Sequence, residues 1–338
     1  MSAAPALRIG ILSTAKIAGE FMRGVKSSQK IDVTAVARRD AARGKQFARD
    51  HGIATVLCSY EALLADPSIE AIYNPLPNSL HAAWSIRALE AGKHVLCEKP
   101  LAMSAAEARE MFKVAARHGR HLVEAYPYRA QPLTRQLRRM LAAGAIGSVQ
   151  SIQANFGFQM SDTRNIRLDA ALGGGALMDA GCYPVSLIRM IAGESPTRVF
   201  AAARWVSAGV DQSIAATFEF DKGLLAQMSC SFGTAVHRHA FIVGSTGVIE
   251  TNYQNTPPPG RPARLQIKRG IAWDVEFEAI EAPAINGFLA EAESFSDLVR
   301  LGPSHWSGAT EEESIDIARM IDAIKRSART GTVEPLAV

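Results

Sequence analysis

The tripeptide Glu98-Lys99-Pro100 closes a short apolar run, His94-Val95-Leu96-Cys97, and precedes a helical stretch that opens at Ser104. A charged pair at the end of a buried parallel strand is costly unless it has a task. Ligands of open α/β sheets bind outside the carboxyl ends of the strands. Lys99 is therefore a candidate for touching cofactor or substrate, with a plain surface turn as the rival reading. A second pair stands further on, where Asp179 precedes Tyr183 by four residues. On a helix those two side chains share a face. A phenol with its ordinary pKa of about 10 is a poor acid/base at neutral pH, and a nearby ammonium such as Lys99 favours the phenolate. Such a group can take a proton from a hydroxyl that loses hydride, or return it to the oxygen of a carbonyl that gains one. Packing of Tyr183 against a helix and a solvated Asp179 is the competing account.

These residues need a frame. Residues 1–125 alternate short apolar runs with amphipathic stretches, the mark of βαβ units. Strands are expected at 7–12, 33–37, 71–73, 95–97 and 121–124, and helices at 15–26, 41–51, 60–65, 80–91 and from 104 to about 119. Asp40 reads as the N-cap of the second helix, Gly92 as a C-terminal cap, and Ser104 with Glu107 as a capping box. From Val149 longer alternating runs take over, at 149–158, 197–206, 213–220, 223–232, 240–244, 248–252 and 264–268. Turns such as Asp221-Lys222-Gly223 join them, as in antiparallel sheets. Residues 256–260, Thr-Pro-Pro-Pro-Gly, read as a stiff surface loop. Thr310 with Glu313 is a second capping box, opening a helix that runs to about Arg329. The layout is an α/β domain of Rossmann type, with a doubly wound parallel sheet, over 1–125. An α+β domain with a large, mainly antiparallel open sheet follows over 126–338.

The first strand-helix turn, Gly10-Ile11-Leu12-Ser13-Thr14-Ala15-Lys16-Ile17-Ala18, is rich in small residues, which allow a tight turn and close approach to a pyrophosphate. It does not meet the Gly-x-Gly-x-x-Gly pattern. At the end of the second strand, where NAD sites place an acid, the sequence has Arg38 followed by Arg39. Arginine there accommodates a 2′-phosphate, so the expected cofactor is NADP, with NAD possible; a solvated loop is the alternative for both arginines.

Composition bounds the rest. At 338 residues the chain suffices for two domains, and 48% hydrophobic with 21% charged residues is ordinary for a globular protein. A net charge of +4 without a basic block gives no footprint for nucleic acid. No signal peptide or membrane-spanning run is read at the start or elsewhere, so the expected location is cytoplasmic. Cys58, Cys97, Cys182 and Cys230 are scattered and read as reduced thiols. His237 and His239 lack a third partner for a metal, and none is expected.

Several segments together resemble the Gfo/Idh/MocA oxidoreductases. Residues 9–18 match the cofactor turn, with Ser13 and Ala15 where many members have glycine. Pro75-Leu76-Pro77-Asn78-Ser79-Leu80-His81 matches the loop after strand four, and residues 91–102 match the signature lysine segment. Residues 124–129 match the entry to the second domain, and Gly173-Gly174-Gly175 through Tyr183-Pro184 match the active-site helix. The last segment looks most like the branch of dimeric dihydrodiol dehydrogenases, NADP-dependent D-xylose dehydrogenases and sugar ketoreductases. Members use a His or a Tyr as acid/base, and this chain has Tyr183. The resemblance implies Lys99, Tyr183 and Asp179 as catalytic residues. It implies Gly10, Ser13, Thr14, Ala15, Lys16, Ile17, Arg38, Arg39, Pro75, Leu76, Asn78, His81, Glu98, Lys99 and Arg129 around the cofactor. Tyr126, Asn165, Arg167, Lys99, Asp179 and Tyr183 would face a sugar, cyclitol or diol. Helix capping by His81, a hinge ion pair at Arg129 and a surface loop at Asn165 and Arg167 stay open. The rival activity is trans-dihydrodiol dehydrogenase, and the rival class a regulator that senses NAD(P) without catalysis. An apolar outer sheet face in the second domain suits a homodimer or homotetramer. For the cofactor, Arg38→Asp should shift preference from NADP(H) toward NAD(H) in fluorescence titrations; equal or tighter NAD binding by the parent chain would count against the arginine reading.

Overall fold

The computed structural model describes residues 5–258 and 260–336. Residues 1–4, Pro259 of the proline-rich loop, and residues 337–338 lie outside the described residues. The described chain forms two compact units. Residues up to Gln131 and Ile285–Glu311 make the first, and Pro132–Ala284 with the chain from Glu312 onward the second.

The first unit alternates strand and helix. Its elements are β1 (Leu7–Leu12), α1 (Lys16–Val25), β2 (Ile31–Ala37), α2 (Ala41–His51), β3 (Thr55–Leu57), α3 (Tyr60–Ala65), β4 (Ala71–Asn74), α4 (His81–Glu90), β5 (His94–Glu98), α5 (Ala105–Arg117) and β6 (Leu122–Ala125). All six strands are parallel, in the order β3-β2-β1-β4-β5-β6. Strand order reverses between β1 and β4, which opens the ligand crevice of doubly wound folds beyond their carboxyl ends. The turns after β1, β4 and β5 therefore carry Ser13, Pro75 and Lys99 to that edge. The helices start as their caps direct: Asp40 accepts the Arg43 amide at 3.1 Å and Ser104 the Glu107 amide at 3.2 Å.

The second unit follows with α6 (Pro132–Ala142), β7 (Val149–Gln159), α7 (Cys182–Ala192), β8 (Arg198–Trp205), β9 (Asp211–Glu219), β10 (Leu225–Ser231), β11 (Gly233–Gly244), β12 (Gly247–Thr251), β13 (Ala263–Arg269) and β14 (Glu278–Ala282). After α8 (Gly287–Leu301) come α9 (Glu311–Thr330) and β15 (Glu334–Pro335). The nine-stranded sheet runs β14-β13-β12-β11-β7-β10-β9-β8-β15. Every pairing is antiparallel except β7 with β10, so the sheet is mixed. The long chain between β7 and β10 permits a parallel return that a hairpin cannot make. Strands β8 and β10 alternate buried and exposed residues, as one covered face requires. Between α7 and α9, Arg189 bonds Asp316 at 2.7 Å, both buried.

The boundary differs from the sequence reading. That reading ends the first domain at 125 and gives all of 126–338 to the second, whereas α8 returns to the first unit. Phe288, Ala292, Phe295 and Leu298 join the core with Phe21 and Val25 of α1. A Cβ on Gly24 would stand 2.7 Å from that of Phe288, so glycine lets the two helices approach. Arg300 adds a two-pronged bond to Glu70 at 2.8 and 2.9 Å. Elements α6, α8, β3, β14 and β15 have no counterpart in the sequence reading. Strands β3 and β15 are too short for a periodicity, and the alternation of β14 is broken by two glutamates.

Candidate active site

In the first unit, Ser13 holds a left-handed backbone, φ +76°, where glycine is the unstrained choice. The turn survives because its amide donates to Ala37 O at 2.9 Å and its hydroxyl accepts the Ala15 amide at 3.3 Å. Helix α1 then begins at Lys16 with no side-chain cap. Arg38 leans from the end of β2 onto this turn, its Nη1 donating to Thr14 Oγ1 at 2.5 Å. Its Nε is buried without a hydrogen-bond partner, a donor left over for an anionic group. Arg39 is exposed, and Asp40 is spent on capping α2. The Asp40 carboxylate is turned to α2, where it also meets Arg43 Nε at 3.4 Å.

The β4 and β5 ends are braced from below. Buried Asn74 donates to His81 O at 3.2 Å and to Ser85 Oγ at 3.0 Å. The His81 ring lies between Pro100 O and Leu76 O, 2.8 Å from each nitrogen, and is only 1% exposed. Burial drives its pKa down to about 4, against the upward pull of both carbonyls and with help from Lys99. The neutral ring carries one N–H and donates to one of these two carbonyls, so His81 packs between the Leu76 loop and the lysine segment. Beside half-buried Lys99, three carboxyls are buried: Glu98, Glu124 and Glu291. Glu98 accepts the Tyr73 hydroxyl at 2.6 Å, and Glu124 the Leu101 amide at 2.9 Å. Burial first, then neighbouring Glu98, pushes Glu291 well above the usual carboxylate range. Pro75 and Leu76 are buried, whereas Asn78 is partly exposed. Tyr126 is fully buried, with its ring edge-on to that of Tyr128. Arg129 is also buried.

In the second unit, the glycine run fixes the start of α7. Gly175 has φ +115°, and a Cβ there would lie 2.2 Å from Asp211 Oδ1. Its absence lets the buried Asp211 carboxylate accept the Leu177 amide at 2.6 Å. Burial raises the Asp211 pKa, and the bonds from Leu177 and its neighbours partly oppose this. A π-helical turn, Leu177–Gly181, leads into α7; such wide turns recur at functional sites. Asp179 accepts Arg167 Nε at 2.6 Å. Asn165 caps the turn beneath, taking the Arg167 amide at 3.1 Å, so of the two predicted loop residues only Arg167 reaches the helix. Tyr183 is 6% exposed, and its hydroxyl accepts Asn255 Nδ2 at 2.9 Å. The Arg238 guanidinium stands 4.1 Å from its ring centroid. Asp211, Arg238, Tyr253 and Asn255 are absent from the sequence reading. Arg238 lies between the two histidines considered as metal ligands, and His239 instead faces Glu250 at 3.7 Å. Among the described residues no three ligating side chains gather for a metal.

Both halves match known sequence families. Residues 7–126 match the oxidoreductase family with an NAD-binding Rossmann fold, and residues 134–250 match the GFO/IDH/MocA C-terminal domain. The chain belongs to the Gfo/Idh/MocA oxidoreductase family. Among Gfo/Idh/MocA relatives, D-xylose 1-dehydrogenase (NADP(+)) 2 of Haloferax volcanii is 36% identical over 98% of this chain and 100% of its own. Trans-1,2-dihydrobenzene-1,2-diol dehydrogenase of Sus scrofa is 31% identical over 87% of this chain and 95% of its own. A 3-ketoreductase from Actinomadura kijaniata, solved with NADP and TDP-benzene, superposes with TM-score 0.87 at 32% identity, covering 95% and 98% of the two chains.

The His81 brace carries a pH signature. Its folded pKa lies below the unfolded value of 6.5, so the unfolded chain binds the extra proton first. The contribution is complete above pH 6.5 and is lost as pH falls toward 4, by about 3 kcal/mol at most. Urea unfolding at pH 7 and pH 4.5 should show a smaller acid loss in His81→Gln than in the parent; equal losses would rule out this role.

Proposed function

We propose that this oxidoreductase uses NADP to interconvert a secondary alcohol or hemiacetal and the matching carbonyl on a sugar, cyclitol or related diol. The observation that carries this reading is the Tyr183 hydroxyl, held by Asn255 on the helix that also bears the Arg167–Asp179 pair. NADP supplies the hydride acceptor or donor at nicotinamide C4, and the protein orients it. Arg38, anchored on Thr14, takes the 2′-phosphate with its leftover donor, and the turn at Ser13 to Ile17 takes the pyrophosphate. In the oxidative direction the substrate hydroxyl gives its proton to the Tyr183 oxygen as hydride leaves the same carbon. In the reductive direction Tyr183 returns a proton to the carbonyl oxygen. Lys99 assists by favouring the phenolate and binding substrate oxygen, while Asp179 receives neighbouring hydroxyls. The NADP-named relatives support the cofactor assignment.

A trans-dihydrodiol as substrate is a second reading. It draws on the relative from Sus scrofa and on a wall of rings near Tyr183: Phe156 at 5.6 Å, with Phe158 and Phe232 beyond it. Turnover with a panel of aldoses, cyclitols and diols separates the two. Tight NADPH binding with no turnover on any of them would revive the sensing regulator. The second-unit sheet leaves Phe200 and Leu225 exposed beside small residues such as Ala202 and Ala215. A homodimer or homotetramer that covers this face is proposed, and light scattering at micromolar concentration should give two or four times the 36.3 kDa chain mass; a monomer would refute it.

Turnover should fall by roughly 10²–10⁴ in Tyr183→Phe, the usual scale of general acid/base catalysis. Lys99→Met should lose a similar amount, and the double variant little more, because groups that act as a unit are non-additive. NADPH affinity, measured separately, should survive in Tyr183→Phe. Near-normal turnover in that variant would place the proton carrier elsewhere.

A further inference from the structure

Arg238 projects from β11 into a cage of three rings. Its guanidinium carbon lies 4.1 Å from the Tyr183 centroid, 4.5 Å from that of Tyr253 and 5.0 Å from that of Phe156. The register explains the placement. Arg238 pairs with Phe156 across β11 and β7, so their side chains share a face, and His237 and His239 point to the other. A guanidinium over aromatic faces is attracted by their quadrupoles, most strongly where water is excluded. Asn255 completes the arrangement: its Nδ2 donates to the Tyr183 hydroxyl at 2.9 Å, and its Oδ1 accepts Arg238 Nη1 at 3.4 Å.

Holding this cage carries a cost. Tyr253 adopts φ +32°, in the left-handed region that non-glycine residues avoid. Its hydroxyl is anchored on Asn155 O at 2.7 Å. Strain of this kind persists where surrounding contacts fix it, and it clusters at functional sites.

Both contacts act on the same equilibrium. A positive charge against the ring and a donor to the phenolic oxygen each favour the phenolate over the phenol. We infer that Arg238 and Asn255 are positioning residues that make the Tyr183 hydroxyl more acidic and fix its direction. This role rests on Tyr183 carrying the proton, and it assigns part of the tuning to the second unit's own residues rather than to Lys99 alone. Among the described residues, other ionisable groups around this end of α7 are held by partners or buried. Asp179 is paired with Arg167, and Asp211 of β9 is bonded to the Leu177 amide, with Lys325 of α9 near it. Cys182 donates to Asp179 O. Cys230 of β10 is pushed well above the usual thiol range by burial. His239 lies on the far face of β11 with Glu250.

The test is an ultraviolet titration of phenolate in the full-length protein without substrate. Subtracting Tyr183→Phe isolates one of the six tyrosines. The same pairwise subtraction is made in Arg238→Met, Arg238→Lys, Asn255→Leu and Lys99→Met backgrounds. Arg238→Met should raise the Tyr183 midpoint by about one to three pH units, and the acid limb of the alcohol-oxidation profile should move with it. Arg238→Lys should restore most of the difference, and Asn255→Leu should raise the midpoint by less than Arg238→Met. If Arg238→Met does not fold, the lysine and Asn255 variants decide, with an unmoved midpoint in Asn255→Leu counting against the role. An unmoved midpoint in Arg238→Met, or a shift in Lys99→Met alone, overturns it. Full turnover in Tyr183→Phe would instead refute the proton-carrier reading, while the titration still reports whether Arg238 acts on Tyr183.

Discussion

The buried carboxylate of Asp211 sets the geometry of the C-terminal half. A helix start leaves amides without partners, and here one of them, Leu177, bonds that carboxylate at 2.6 Å. The bond needs Gly175, because a Cβ there would stand 2.2 Å from Asp211 Oδ1. It therefore fixes where the π-helical turn begins, and hence where Asp179 and Tyr183 emerge. The loop before the turn is bound to the same run, with the Gly174 amide on Asp169 O and the Gly175 amide on Arg167 O. Arg167 is thereby delivered to Asp179.

The N-terminal half solves a different problem, that of exposing a cation at the end of a buried strand. Charge at such a place is stable only when its surroundings are hydrogen-bonded. Tyr73, stacked on Phe21 at 4.1 Å, gives its hydroxyl to Glu98. Glu124 takes the Leu101 amide, and His81 bonds the backbone on the far side of Lys99. Glu291 arrives from α8 into the same neighbourhood, with its acid form favoured by burial and by Glu98. The return of α8 thus contributes a polar group beneath the lysine segment as well as apolar surface against α1.

Much of this protein was determined by local sequence. Strand and helix periods of two and 3.6 residues are set within a few residues of chain, which is why the strands and helices of residues 7–125 apart from the three-residue β3, their caps and the switch to a β-rich second half are legible. The strand-end position of Lys99, the helical spacing of Asp179 and Tyr183, and Arg38 in place of an acid are likewise local facts. Only the tertiary structure decided what meets those residues. Asn255 reaches Tyr183 across 72 positions, and Arg189 reaches Asp316 across 127. The parallel pairing of β7 with β10 and the choice of Arg238 rather than its flanking histidines to face Tyr183 follow from strand order and register, whereas the swing of α8 back to the first unit follows from its packing against α1. A one-residue change of register would turn each of those side chains to the other face. Burial, which sets His81 between two backbone carbonyls and covers Tyr126, is a property of the assembled layers, and no stretch of sequence states it alone.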